Sequence, residues 1–191
     1  SSIKNRDLKK NYHDPIVFDK KETFRLVRIE PVKDIRDLQI TYPITGTRSM
    51  YESKPGRQVG FIIGHEGKGS LLSYLKEKGL ATSLSAGARS DTEEYGLVSI
   101  KIGLTPQGLE NYKEVIKATV NYIELMKNSG YQSHVYNELK TMAELEYIYS
   151  SKGEGMWRAT QLANEAMMYP LEDVGKINYI YRNNNPDSYE S

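Results

Sequence analysis

Val98, Ile100, Ile102 and Leu104 alternate with Ser99, Lys101 and Gly103, the two-residue period of a strand with one buried face. Leu38, Ile40, Tyr42 and Ile44 alternate in the same way with Gln39, Thr41 and Pro43. A shorter, mixed run from Phe24 to Ile29 reads as a strand that pairs with 38–44, the join punctuated by Pro31 and the polar segment 34–37. Ala81 to Ala88 is small and rich in Ser and Thr, and reads as a strand lined by little side chains. Arg89 to Glu94 then supplies a polar turn.

Helical spacing fills the rest. Ser53 is the expected cap of a first helix, with Pro55 in its first turn and Val59, Ile62 and Ile63 as its apolar stripe. The run Gly64 to Gly69 breaks it, Leu71, Leu72 and Leu75 carry a second helix, and Gly79 closes that one. Thr105-Pro106 opens a helix whose apolar positions run from Leu109 to Met126, ending by Gly130. Val135, Leu139, Met142, Leu145 and Tyr149 mark another after Ser133, and Trp157 to Met168 a last one before Pro170. The order β-β-α-α-β-β-α-α-α predicts an α+β fold, a mainly antiparallel sheet with helices covering one face.

Composition narrows the function classes. Hydrophobic residues are 38% and charged residues 27% of 191, as in an ordinary globular domain. A net charge of +1 gives no argument for a nucleic acid or charged-membrane partner, and no stretch approaches the roughly 18 apolar residues of a membrane span. With no cysteine, disulfides, thiol catalysis and thiolate metal sites are excluded. A cysteine-free chain fits a bacterial periplasmic or a cytoplasmic setting alike. Residues 1–21, with five lysines, read as a polar linker, and 22–191 as one domain. The absence of an initial Met and the polar ending lead us to expect an excerpt of a longer protein. The 15 Tyr against 3 Phe and 1 Trp point to rings packed at the core margin with wet hydroxyls.

Catalytic motifs are scarce. His13, His65 and His134 are scattered, and the residues four before and four after His65 are Phe61 and Gly69. The H-x-x-E-H arrangement, which sets two imidazoles one helical turn apart, is therefore missing. Gly56, Gly60, Gly64, Gly67 and Gly69 match neither the Walker pattern nor a dinucleotide loop. Two readings of Gly60 and Gly64 are open: close packing of the helix on a neighbour, or bare surface that leaves room for another backbone. The strand Thr82 to Gly87 offers edge groups to an extended peptide by strand addition.

The run from Gly60 through Gly64-His65-Glu66-Gly67-Lys68-Gly69-Ser70-Leu71-Leu72-Ser73 to Gly79 resembles the insulinase-type M16 zinc metallopeptidases. The resemblance extends through Pro31–Leu38, Tyr42-Pro43-Ile44, Leu104–Leu109 and Tyr169–Val174, covering roughly residues 24–180. It identifies the chain with the second, non-catalytic domain of the N-terminal half of such enzymes, truncated before its last strand. It implies that zinc chemistry belongs to another domain of the full-length enzyme and that this fragment is inactive alone, with no metal or cofactor of its own. It further implies an exosite for peptide substrates on Gly60, Phe61, Gly64, Glu66, Leu84, Ala86 and Gly87, with Glu66 facing the terminal ammonium. Arg57 and Phe61 stand where exosite-bearing members have His, and Ala86 where they have Gly. The alternative is an inactive structural or processing subunit of the same superfamily.

Overall fold

β3 (Tyr95–Leu104) is the middle strand of a three-stranded antiparallel sheet. It lies between β1 (Asp37–Thr45) and β2 (Ala81–Arg89), so the order among the described residues is β1-β3-β2. The computed structural model describes residues 25–89, 95–151 and 153–187. The chain divides into two units, residues 1–30 and 31–191, and the sheet and helices belong to the second. The alternation in the sequence sets the register: Ile40 stands opposite Ile100 on one side of β3, and Ala86 opposite Ile100 on the other. The apolar set of all three strands thus shares one face, with Ile100 and Ile102 wholly buried. On the opposite face Thr41 and Ser99 bring their hydroxyls to 3.5 Å.

α1 (Pro55–Ile63), α2 (Leu71–Glu77) and α4 (Tyr112–Ser129) cover the apolar face, the short α3 (Pro106–Glu110) lies against β3, α5 (Ser133–Tyr149) packs on α1, and α6 (Gly155–Met168) follows it. The main core joins Ile63, Leu71, Leu72 and Leu75 to β2, β3 and Val115 of α4. Each such aliphatic side chain contributes about 1.5–3 kcal/mol by leaving water. A second cluster, Val135, Tyr136, Leu139 and Ala143 of α5 with Tyr181, takes Phe61 and Ile62 of α1 at its margin. α1 is therefore wedged between the sheet and α5. Among the described residues no helix is long and apolar enough to cross a membrane.

The α+β class and antiparallel sheet stand as the sequence predicts, with four local corrections. Arg25–Ile29, the described part of the expected first strand, has no regular structure, and Leu26, Val27 and Ile29 are exposed; β1 takes β3 as its partner instead. Ser53 does not cap α1: its hydroxyl donates to the Met50 carbonyl at 3.3 Å, and the cap is Lys54, left-handed at φ 49°. The expected helix from Pro106 to Gly130 breaks at Asn111, whose side-chain amide donates to the Gln107 carbonyl at 2.9 Å. α3 is held apart by Gly108, where a Cβ would stand 1.8 Å from the Leu80 carbonyl oxygen. The buried tyrosines also depart from the wet-hydroxyl pattern at one position. Tyr181 is buried, its hydroxyl has no hydrogen-bond partner among the described residues, and burial pushes its pKa up to about 12. The polar turn expected at 89–94 and His13 lie, apart from Arg89, outside the described residues.

The segment after α6 is tied back to the chain before α1. Asp173, buried, accepts from Tyr51 Oη at 2.8 Å and from both terminal nitrogens of Arg182. Arg182 Nη1 also donates to Glu52 Oε1 at 3.1 Å. Lys54 Nζ donates to the Ile177 carbonyl at 2.6 Å, which holds the left-handed cap in place. The Arg182 hydrogen bond holds the Asp173 carboxyl below its ordinary pKa against the opposing effect of burial.

Candidate functional site

Gly56, Gly60 and Gly64 recur at every fourth position of α1 and its C-terminal cap, which stacks them on one helical face. That face lies on the backbone of β2. A Cβ on Gly56 would meet the Ala88 Cβ at 2.6 Å, and one on Gly60 the Gly87 Cα at 3.0 Å. Gly64 stands with its Cβ position 3.6 Å from the Ala86 nitrogen. These glycines serve close helix–strand packing, and they leave α1 unusually near the end of the sheet.

β2 is an edge strand, paired on one side with β3 and with no strand on the other among the described residues. Every second residue of such an edge turns its N–H and C=O outward. A cleft of about 590 Å³ opens along this edge, between β2, α1 and α5. Five consecutive β2 residues, Leu84 to Ala88, line it. Since neighbouring strand side chains point to opposite faces, a run of five meets one cleft through the strand's edge and backbone. A Cβ added at Gly87 would meet nothing within 4 Å.

All seven residues expected at the site, Gly60, Phe61, Gly64, Glu66, Leu84, Ala86 and Gly87, line this one cleft. Arg57, His65 and Ser85 join them, as do Leu139 and Met142 of α5. Helical spacing marks the two α5 residues as members of a face, but not as walls of this cleft. Leu139 is buried and Met142 is exposed, so the α5 wall is apolar and open to water. Glu66 and His65 are exposed at the end where α1 stops; the Phe61 and His65 rings stand 6.5 Å apart. Arg57, at the start of α1, reaches Glu146 of α5 at 3.8 Å. Arg57 also lies near Lys54, whose pKa is lowered to about 8, first by burial and then by the Arg57 charge.

Among the described residues no three His, Asp or Glu side chains converge as a metal would require. His65 and His134 do line a second, smaller cleft with Tyr122 and Glu138, yet they form no such group. The surface is suited to holding an extended chain: backbone groups unpaired among the described residues, an apolar wall, and a charge of each sign at its ends.

A family model described as Peptidase M16 inactive domain matches residues 1–143. The A-factor-processing enzyme of Saccharomyces cerevisiae is 34% identical over 152 residues, which are 80% of this chain and 15% of that protein. The insulin-degrading enzyme of Homo sapiens is 31% identical over 173 residues, 91% of this chain and 17% of that protein. The chain thus spans 15% to 17% of the length of these two relatives. The crystal structure of pitrilysin shares the fold, with a TM-score of 0.78 at 22% identity over 84% of this chain and 17% of that one. The chain belongs to the family of Peptidase M16 inactive domains, the non-catalytic domains of insulinase-type peptidases.

Proposed function

We propose that this domain holds peptide substrates for a zinc metalloendopeptidase whose catalytic zinc lies on another domain of the longer protein. The edge of β2, unpaired among the described residues and opening into the cleft, carries the reading. An extended peptide laid along Leu84 to Ala88 gains main-chain hydrogen bonds there by strand addition. Phe61, Leu139 and Met142 receive its apolar side chains, and Glu66 pairs with a free terminal ammonium. The same surface then forms part of the wall of a proteolytic chamber. The names of the relatives, an A-factor-processing and an insulin-degrading enzyme, support peptides as the substrate class.

A labelled, unstructured peptide with a free amino terminus, titrated against its N-acetylated twin, tests this on the 191-residue chain, with zinc content measured on the same sample. Binding that weakens on acetylation, and a difference abolished by Glu66→Gln, is the expected result. Absence of binding by both peptides moves the domain to a passive wall, the role it has in the structural-subunit alternative. Zinc-dependent cleavage by the chain itself overturns the proposal outright.

A further inference from the structure

The cleft is electrically polar along its length. Glu66 stands where α1 ends, and Arg57 stands in the first turn of α1 beside Ala88's end of the strand edge. The guanidinium of Arg57 is not consumed by its neighbour. Its distance to Glu146 is 3.8 Å, beyond hydrogen-bonding reach, and the two side chains are 41% and 60% exposed. A pair so open is weak, and the planar fork of donors stays available for a better-placed carboxylate. The Arg57 charge itself repels a basic side chain at this end.

The spacing of the two charges fixes where that carboxylate must come from. The seven helical steps from Arg57 to Gly64 span about 10 Å, and Glu66 lies two residues further on. An extended chain advances about 3.3 Å per residue, so the interval equals roughly three to five residues of bound peptide.

We infer that Arg57 makes this cleft selective for extended peptides carrying Asp or Glu about four residues after a free amino terminus. The inference rests on the proposal that the cleft holds peptides with their amino terminus at Glu66.

The test uses the 191-residue chain and short, unstructured, C-terminally labelled peptides with free amino termini. Glu is moved through the second to sixth positions and compared at each with Gln and Lys by fluorescence anisotropy. We expect Glu near the fifth position to bind about three- to five-fold more tightly than Gln, as for an exposed ion pair. The advantage vanishes in Arg57→Gln, grows in Glu146→Gln, which frees the guanidinium, and shrinks in high salt. Circular dichroism on both variants separates lost selectivity from lost fold. If every peptide binds equally whatever its charge pattern, the selectivity is overturned while the peptide-holding role stands. A preference that survives Arg57→Gln also overturns it. If no peptide binds to the unaltered chain, the peptide-holding role falls and this inference with it.

Discussion

Gly60 faces Gly87 across the contact between α1 and β2, and a Cβ built on Gly60 would stand 3.0 Å from the Gly87 Cα and 3.2 Å from the Ala86 carbonyl oxygen. Backbone, not a flexible side-chain tip, fills that space. Helix and strand must separate to admit a methyl group, and overpacking of this kind costs about 1–3 kcal/mol. The roughly 1 kcal/mol that Ala gains over Gly in a helix offsets only part of it. Gly60→Ala is therefore expected to lower stability by about 1 kcal/mol in urea unfolding. Gly155→Ala, with nothing within 4 Å of its Cβ, serves as the neutral or slightly stabilising comparison. Equal stabilities for both would mean that α1 does not need its glycine.

Gly87 has the opposite environment, since open space surrounds its Cβ position. A β-branched side chain there improves strand propensity and removes unfolded-state freedom. Gly87→Val is expected to raise stability by about 0.5–1 kcal/mol in urea unfolding, its side chain standing beside Ser99 on the polar face, away from α1. A loss of stability on this substitution would mean that the space beside Gly87 is filled.

Acid unfolding reports on Asp173. Its carboxyl is held below the ordinary range by Arg182 and the Tyr51 hydroxyl. A depressed folded-state value gives stability that is present above the unfolded pKa, about 4, and lost as pH falls through the folded one. The denaturation midpoint should therefore fall below about pH 4. In Asp173→Asn it should be lower at neutral pH and lose less on acidification. Parallel pH profiles for the two proteins would refute the assignment.

On the alkaline side two opposite effects meet. Burial lowers Lys54 from 10.5 to about 8, so between these values the unfolded chain binds more protons and stability rises with pH. Tyr51 and Tyr181 are both raised from 10.0 to about 12, the first by its hydrogen bond to Asp173 and the second by burial. Their contributions are complete below pH 10 and fade toward 12. Stability from these three groups should thus climb from pH 8 to about 10 and then decline. Lys54→Met should remove the climb and keep the decline, a difference that guanidinium titrations at pH 7.5, 9 and 10 resolve.

The sheet was legible in the sequence where side chains obey a strict period of two, as in β1 and β3. It was not legible at 24–29, where Leu26 and Val27 are adjacent. No single face can bury both, and the segment gains too little to offset its ordering. The break at Asn111 leaves no mark in the sequence because apolar spacing runs through it; the contact of Gly108 with Leu80 is a tertiary fact. At the start of α1 the cap signal of Ser53 misled, because a residue preceding proline is denied the right-handed helical region and Lys54 took the capping position itself. Gly60, Gly64 and the edge of β2 were legible because glycines and small side chains mark a close backbone approach, whereas Phe61, Glu66 and Leu84 were marked only by the resemblance to M16 peptidases. Leu139 and Met142 were not, since helical period names a face without naming its neighbour.

The bridges that join Tyr51, Glu52 and Lys54 to residues 122 to 130 positions later have a consequence for how the molecule is made. Closing so long a loop is entropically costly, and contacts of such separation form late and slow the approach to the native state. During synthesis at about 5–20 residues per second, the start of α1 waits many seconds for Asp173, Ile177 and Arg182 to leave the ribosome. Until then the amine of Lys54 and the hydroxyl of Tyr51 face water, and the wall of the cleft that α1 forms has no anchor at its first turn.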